Sequence, residues 1–205
     1  MFDERMRRAK DKAFTPLAHR LLAVPPWLFS VLGLLTGLAA AAALWQQQYA
    51  AGFALWFLNR AFDGLDGAVA RARNRQSDFG GYLDIVVDFV VYAAIPVGLA
   101  LGVGGMAVSL SLLFLLCTYY VNAASWMYLA AILEKGRAGH GRSAHSDRLT
   151  TITMPAGIIG GTETIIFYTV FIFFPAYLAW LFNLMALLIL VTIVQRLVWA
   201  GHHLD

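Results

Sequence analysis

The feature that most constrains this chain is a succession of apolar stretches, each long enough to cross a lipid bilayer. Crossing a hydrocarbon core of about 30 Å as a helix takes roughly 20 apolar residues. Hydrophobic residues make up 60% of the 205 residues and charged residues 13%, which excludes an ordinary soluble domain. The sequence therefore predicts an all-α integral membrane protein with six transmembrane helices. The predicted spans are Pro26–Trp45, Gly52–Ala70, Gly80–Gly102, Met106–Leu133, Ile152–Phe174 and Ala176–Val198.

Basic and apolar side chains are interleaved in residues 1–22, ahead of the first predicted span. This pattern favours an amphipathic helix that lies on an anionic membrane surface. The segment does not resemble a signal peptide, because the first apolar stretch begins late and no small-residue cleavage site follows it. We therefore expect a cytoplasmic surface segment at 1–22 and one six-helix transmembrane domain at 23–205.

The distribution of Lys and Arg predicts the orientation of the spans. Six spans place both termini on one side, and we assign all 15 Lys and Arg to that side, with Arg60 counted at the second connection and Arg196 at the C-terminal end. Connections 46–51, 103–105 and 174–175 on the other side contain none. By the positive-inside rule, both termini are cytoplasmic in a cell inner or plasma membrane. This role accounts for the basic residues without a nucleic-acid partner.

Four acids interrupt the second and third predicted spans: Asp63, Asp66, Asp84 and Asp88. Carboxylates at membrane depth cannot all be ionised together unless cations compensate them. The i, i+3 and i, i+4 spacings place each pair on one face of its helix. The four acids either share protons, as in an ion path, or form an all-oxygen shell suited to Mg²⁺ or Mn²⁺. Zinc is disfavoured because no His lies nearby in the sequence.

Small residues and one cation accompany these acids. Gly67 and Ala70 leave the face beside the acids without bulk, and Arg71 continues that face. Gly80 opens the start of the next helix in the same way. Such a groove suits a pyrophosphate that lies against the helix backbone and receives guanidinium hydrogen bonds. The combination predicts metal-assisted phosphoryl transfer.

The complete pattern resembles the signature of the CDP-alcohol phosphatidyltransferase family, residue for residue and gap for gap. It reads Asp63-x2-Asp66-Gly67-x2-Ala70-Arg71-x8-Gly80-x3-Asp84-x3-Asp88. The resemblance implies two divalent metal ions, one held by Asp63, Asp66 and Asp84, the other by Asp63, Asp84 and Asp88. It further implies that Asp88 takes the proton of the acceptor hydroxyl. The CDP group would lie along the groove formed by Gly67, Ala70, Arg71 and Gly80.

The implied activity is transfer of a phosphatidyl group from CDP-diacylglycerol to a hydroxyl of a small alcohol, with release of CMP on the cytoplasmic side. One alternative within the family is a soluble CDP-amino alcohol donor with diacylglycerol as acceptor. A second alternative, from another class, is an ion or proton transporter built on the acidic cluster. The groove beside the acids favours the enzyme, because transport does not need it. Small residues at Gly33 and Gly37 make a homodimer a further possibility.

Two departures from the family's patterns bear on the substrates. Many relatives carry Pro-Asn-x-x-Thr at the start of the first span, whereas this chain has Pro26-Trp27-Leu28-Phe29-Ser30. Phosphatidylglycerophosphate synthases often have Pro and Lys where this chain has Ile85 and Phe89. The second departure disfavours that class of acceptor and leaves the acceptor open.

Several other polar residues have both a functional and a structural interpretation. Glu163 lies inside the fifth predicted span, where an acid is expected to be functional. The loop that contains His140 and His145 is expected to face solvent, and the alternative is contact with lipid headgroups or with a phosphorylated acceptor. Three further polar residues could either line a pocket or form hydrogen bonds between helices: Tyr92, Asn122 and Ser125.

Overall fold

The computed structural model describes residues 20–73, 77–139 and 157–204, and within these ranges every regular element is a helix and none is a strand. The all-helical class is therefore confirmed. The helices are α1 (Pro26–Trp45), α2 (Tyr49–Ala72), α3 (Asp78–Val103), α4 (Met106–Gly139), α5 (Gly161–Phe173) and α6 (Leu178–His203), with a 3₁₀ turn at Pro175–Tyr177 before α6. Most of the predicted surface segment at 1–22, together with Arg75 and the loop that contains His140 and His145, lies outside the described residues.

Four stretches in the described part of the chain are long and apolar enough to cross a membrane: α1, α3, α4 as far as Lys135, and the 3₁₀ turn together with α6. The length of α2 would suffice, but Arg60, Asp63, Asp66 and Arg71 make it too polar for that class. The apolar helix α5 has only 13 residues. The chain thus has the helices of a multi-pass membrane protein, while the count of six spans stays a prediction.

Small residues let α1 lie close against α2 and α3. A Cβ atom at Gly37 would lie 2.5 Å from a methyl group of Val91 on α3, and a Cβ atom at Gly98 would overlap the carbonyl oxygen of Ala41 on α1. Gly33 also faces α2, but a Cβ atom there would only make ordinary contacts, at 3.7 Å from Asn59 Nδ2 and 3.8 Å from Phe62 Cβ. The face of α1 that contains Gly33 and Gly37 is therefore used inside the chain, and the homodimer expectation loses the support that this face gave it.

The second half of the molecule packs around aromatic side chains. Helix α4 lies along α6, while α5 contacts α2, α3 and α6. Tyr168 of α5 is fully buried and stacks on Trp56 of α2, with ring centroids 5.2 Å apart. Phe171 meets Phe182 of α6 edge-on at 5.0 Å. These contacts fix α5 beside the helix pair that carries the four acids.

Hydrogen bonds between connections indicate which helix ends lie together. The side-chain amide of Gln47 donates to the carbonyl oxygen of Gly102 at 2.6 Å, which joins the α1–α2 connection to the end of α3. At the other end of α2, the guanidinium of Arg73 donates to the carbonyl oxygen of Leu22. Helices α1, α2 and α3 are therefore successive antiparallel passes, with Asp63 and Asp66 in the half of α2 that leads to Arg73.

Two arginines do not lie where the sequence prediction placed them. Arg60 is inside α2, about 18 Å from its last residue at 1.5 Å per residue, and is not part of the connection to α3. Arg196 lies two turns before the end of α6 and is buried against Asn122. Both were counted as loop-side charges because sequence position alone does not show what a cation inside a helix contacts. The orientation argument therefore depends on the other Lys and Arg.

Candidate active site

The four acids of α2 and α3 line one small cavity. Asp66 is buried with 9% of its surface exposed, and Asp63, Asp84 and Asp88 are half-buried. Helix α1 forms one side of the cavity. Val87 of α3 and two polar residues of α2, Asn59 and Arg60, complete its wall. Its lining consists of Phe29, Ser30, Gly33, Asn59, Arg60, Asp63, Asp66, Asp84, Val87 and Asp88. The structure thus brings together all four acids singled out from the sequence.

Asp66 is held from two sides. The hydroxyl of Ser30 on α1 donates to Asp66 Oδ2 at 3.0 Å, and the backbone N–H of Gly67 donates to Oδ1. Ser30 stands at the position where many relatives have the Thr of Pro-Asn-x-x-Thr, so a hydroxyl is retained there although Trp27 replaces the Asn. Helix α1 therefore contributes directly to the acidic site.

Asp88 forms an ion pair with Arg60 across the α2–α3 contact. Arg60 Nη2 lies 2.9 Å from Asp88 Oδ1, and the side chain of Arg60 is only 9% exposed. The same guanidinium donates from Nη1 to the hydroxyl of Tyr92 at 3.0 Å and from Nε to Asn59 Oδ1 at 2.8 Å. One cation is thus part of the acidic cluster itself, which the spacing of the acids did not predict.

The donor set fits a hard divalent cation, although no ready-made shell is formed. In the described ranges, no group of three or more His, Cys, Asp or Glu side chains is already spaced to hold a metal ion. Two of the acids are turned to protein partners, Asp66 to Ser30 and Asp88 to Arg60. Asp66 nevertheless lies within electrostatic range of Asp63 and Asp84, and all the ionisable donors are carboxylates. The four carboxylates that line the cavity are therefore the residues that would hold such an ion.

The predicted CDP groove lies beside this cavity, and none of its residues lines the cavity itself. A Cβ atom at Gly67 would lie 3.2 Å from Arg71 Nη1, so the exposed Arg71 folds back over the glycine toward the acids. The half-buried Ala70 lies on the turn between Gly67 and Arg71. At the start of α3, the N–H of Gly80 donates to Ser77 Oγ at 3.0 Å. The space that Gly67 leaves is therefore already used by the guanidinium of Arg71.

A second, larger cavity of about 930 Å³ lies between α3, α4, α5 and α6 and meets the acidic cavity at Asp88. Tyr92 and Asn122, which the sequence offered as pocket-wall residues, both line it. Ser125 is not among its lining residues. Ile85 and Phe89, the two positions compared above with phosphatidylglycerophosphate synthases, line it as well. Both of these departures therefore lie in the wall of the larger cavity.

The charged residues Arg196 and Glu163 also line the larger cavity. Arg196 is 7% exposed and donates from Nη1 to the carbonyl oxygen and to Oδ1 of Asn122 at 3.2 and 3.0 Å. Glu163 Oε2 accepts the N–H of Gly160 at 3.0 Å and so satisfies a donor at the N-terminus of α5. Glu163 therefore has a helix-capping partner, and the functional role that its depth in the membrane suggested stays a prediction.

Sequence reasoning missed three residues of this region: Ser30, Arg60 and Arg196. A signal was present for Arg60, because it lies three residues before Asp63 and therefore on the same helix face. Arg196 is a lone cation in a strongly apolar stretch, which is itself a sign of function in a membrane helix. For Ser30, the position of a hydroxyl four residues after Pro26 was the only indication.

This chain is similar to known proteins in both sequence and fold. The model of the CDP-alcohol phosphatidyltransferase family matches residues 22–198. The inner membrane protein YnjF of Escherichia coli is 32% identical over 91% of this chain and 90% of its own length. The phosphatidylinositol phosphate synthase of Mycobacteroides abscessus is 31% identical over 76% of this chain and 73% of its own length.

Solved structures of the Mycobacterium tuberculosis phosphatidylinositol phosphate synthase are similar to the whole fold. The structure with CDP-DAG bound has a TM-score of 0.67 at 27% identity and covers 91% of this chain and 92% of its own. The complex with manganese and citrate has a TM-score of 0.69 at the same identity, over 91% and 88%. Because the family model spans most of the sequence and a relative above 30% identity covers nine tenths of it, this chain belongs to the CDP-alcohol phosphatidyltransferase family.

Proposed function

We propose that this membrane enzyme transfers a phosphatidyl group from CDP-diacylglycerol to a hydroxyl of a small alcohol and releases CMP. The observation that carries this proposal is the meeting of two cavities at Asp88, one lined by four carboxylates and the other large enough for a polar acceptor. The choice of donor is supported by the CDP-DAG complex of the similar M. tuberculosis enzyme. The Arg71 guanidinium over Gly67 would supply hydrogen-bond donors for a diphosphate beside the acids.

Arg71 is the residue that we assign to the donor diphosphate. Its guanidinium folds over Gly67 toward the acidic end of α2, and it is exposed. A planar guanidinium donates two parallel hydrogen bonds to phosphate oxygens, which a lysine cannot do. Ala70 and Gly80 keep the adjacent helix surfaces low, so that the nucleotide would lie against the backbone of α2 and α3.

We assign the carboxylates to two divalent ions, Mg²⁺ or Mn²⁺, with Asp63, Asp66 and Asp84 around one and Asp63, Asp84 and Asp88 around the other. Bound there, such ions would neutralise charge on the transferring phosphate and on the CMP leaving group. Ser30 orients Asp66 through its hydroxyl, and the manganese complex of the M. tuberculosis relative supports the choice of metal. Asp63 and Asp84 would be shared by both ions, so they should be the most sensitive positions.

Asp88 is the acid that faces both cavities, and we assign it the proton of the acceptor hydroxyl. The hydroxyl oxygen forms a new bond to the phosphorus that is attached to diacylglycerol. The bond from this phosphorus to the oxygen of CMP breaks, and CMP leaves with its electron pair. The hydroxyl proton passes to the Asp88 carboxylate, which is positioned beside the acceptor cavity.

The acceptor that fits the larger cavity is an alcohol that also bears an anionic group such as a phosphate. Arg196 lies in the wall of this cavity, and both of the hydrogen bonds it donates in the described part of the chain go to neutral oxygens of Asn122. A buried cation without a carboxylate partner is costly unless an anion balances it. The relatives named as phosphatidylinositol phosphate synthases agree with such an acceptor.

We further propose that the site opens to the cytoplasm, where CDP substrates are made. Asp63, Asp66 and Asp84 lie toward the helix ends that connect near Arg71 and Arg73, and this is the side to which the positive-inside rule assigns the cytoplasm. The match to an inner membrane protein of E. coli agrees with a multi-pass protein in the cell membrane. The termini would then be cytoplasmic.

The decisive experiment incubates purified protein with CDP-diacylglycerol, Mn²⁺ or Mg²⁺, and a panel of neutral and phosphorylated alcohols. CMP release and the mass of the lipid product identify donor and acceptor together. Product formed only from a CDP-amino alcohol and diacylglycerol would reverse the substrate roles. If none of these mixtures yields CMP while the protein in liposomes carries an ion or proton current, the enzyme proposal is wrong.

A further inference from the structure

Arg60 is a cation in the middle of α2, which the sequence predicts to span the membrane, and none of the roles proposed above for the donor, metal and acceptor sites is assigned to it. Its side chain is 9% exposed and lies about 18 Å from the end of α2, too far for a snorkelling anchor. A charge at such depth is costly and is expected to have a functional reason. The reason is visible in what surrounds it.

Each side of the Arg60 guanidinium has a partner. Nε donates to Asn59 Oδ1, Nη1 donates to the hydroxyl of Tyr92, and Nη2 donates to Asp88 Oδ1. The guanidinium carbon lies 4.8 Å from the centroid of the Trp56 ring and 5.1 Å from that of Tyr92, within the range of cation–π contacts. Asn59 is anchored in turn, because its Nδ2 donates to the carbonyl oxygen of Gly33 on α1 at 2.7 Å. The cation is therefore fixed in place before any substrate arrives.

The antiparallel helices α2 and α3 arrange these groups in layers. Residues three or four apart share a helix face, so Trp56, Arg60 and Asp63 follow one another on α2, while Tyr92, Asp88 and Asp84 follow one another on α3. Going away from the connection between the two helices, a carboxylate layer is followed by the ion pair and then by an aromatic layer. Tyr168 of α5 seals this last layer by stacking on Trp56 and by donating to the carbonyl oxygen of Tyr92.

We propose that Arg60 is a positioning residue that holds the carboxylate of Asp88 at the junction of the two cavities. This inference rests on the proposed function, since it assumes that Asp88 acts in the transfer. The rigid guanidinium binds Asp88 through Oδ1 and keeps the acid facing the acceptor cavity instead of turning fully toward the other three carboxylates. It also supplies one positive charge beside a cluster of four acids, which lowers the repulsion that Asp88 experiences.

A merely structural ion pair would have different consequences. A buried pair that only joins two helices contributes to stability, and its loss lowers stability and the amount of folded protein without changing the turnover of what remains. A positioning residue acts through its partner, so removing both costs no more than removing the partner alone. The two interpretations therefore predict different kinetics for the same set of variants.

The test is a double-mutant cycle of Arg60→Gln, Asp88→Asn and the double variant, measured as kcat and as donor KM per folded enzyme in detergent or nanodiscs. We expect Arg60→Gln to lower kcat about 10- to 100-fold while the donor KM changes less than about threefold. The double variant should turn over within about threefold of Asp88→Asn alone. Losses that multiply in the double variant would mean that Arg60 does not act through Asp88.

Two further variants keep the proposal falsifiable. Arg60→Lys retains the charge but not the three-way fork, and it should recover part of the kcat lost in Arg60→Gln. If Arg60→Gln does not fold, the cycle is run with Arg60→Lys. Tyr168→Phe is the matched control, because it removes buried hydrogen bonds one layer away; it should lower thermal stability and leave kcat within about threefold.

These outcomes separate this inference from the proposed function. An active wild-type enzyme with unaltered kcat in Arg60→Gln would overturn the positioning role and leave the transferase proposal intact. An inactive wild-type enzyme, with every donor and acceptor of the panel, would refute the transferase proposal before the cycle begins. Equal loss of kcat in Tyr168→Phe and Arg60→Gln would show that packing of the layer, and not Arg60 in particular, is what activity requires.

Discussion

Replacing Arg196 with Gln tests the nature of the acceptor. The Arg196 guanidinium is 7% exposed, lies in the wall of the 930 Å³ cavity and has the neutral oxygens of Asn122 as its hydrogen-bond partners. A hydrogen bond between charged groups contributes about 1.5–3 kcal/mol. At about 1.4 kcal/mol per tenfold change, losing it should raise the KM of a phosphorylated acceptor roughly 10- to 150-fold. The KM of CDP-diacylglycerol should change little, because we assign the donor groove to Arg71.

The assay follows CMP release while the acceptor is varied at saturating donor. Arg196→Lys should have a smaller effect than Arg196→Gln, because it keeps the charge. Arg73→Gln is the matched control: Arg73 also donates to a neutral carbonyl oxygen, that of Leu22, but it lies at the C-terminal end of α2 and does not line the 930 Å³ cavity. Its acceptor KM should stay within about twofold of wild type. An acceptor KM that Arg196→Gln leaves unchanged would refute the reasoning and would favour an uncharged acceptor.

Three other predictions follow from the site and from the charge distribution. Excess EDTA should abolish turnover and added Mn²⁺ or Mg²⁺ should restore it; full activity in EDTA contradicts the metal mechanism. In a background that lacks Cys117, a cysteine at Gln47 should react with an impermeant reagent from outside intact cells, whereas one at Ser143 should react only after permeabilisation; the reverse result inverts the topology. Arg71→Lys should mainly raise the donor KM, and Asp88→Asn should lower kcat by about 10²–10⁴ while donor binding measured by calorimetry survives; normal turnover in Asp88→Asn would remove its assignment as the base.

Much of the helical architecture was predictable because the length of each apolar stretch can be read directly from the sequence. The first predicted span, Pro26–Trp45, has the bounds of α1, and the fourth begins at Met106 as α4 does. The prediction placed the start of the fifth span at Ile152, whereas the structure begins α5 at Gly161. Apolar composition does not mark that boundary; the hydrogen bond that the Gly160 N–H donates to the Glu163 carboxylate does.

The acids of the site were predictable for a similar reason, since their spacing already fixes which helix face they share. What spacing could not supply was the identity of their neighbours across helices. Ser30 reaches Asp66 only because α1 packs closely on α2. That packing depends on glycine contacts between helices, which the sequence alone does not show. The partner of Arg60 lies 28 positions away on α3, so its charge was assigned to the wrong part of the molecule.

Under the proposed function, the reaction is divided between two groups of helices. Helices α1, α2 and α3 supply the carboxylates, the groove at Gly67 and the fixed cation Arg60. Their packing is close at Gly37 and Gly98, where a larger side chain would overlap the neighbouring helix. Helices α4, α5 and α6, with one face of α3, supply the walls of the larger cavity, including Phe89 and Arg196. The donor chemistry should therefore depend on the first group, and the size and charge of the acceptor on the second. Because Asp88 lines both cavities, we expect substitutions in the second group to change the acceptor without disturbing donor binding, provided that the Arg60–Asp88 pair is kept.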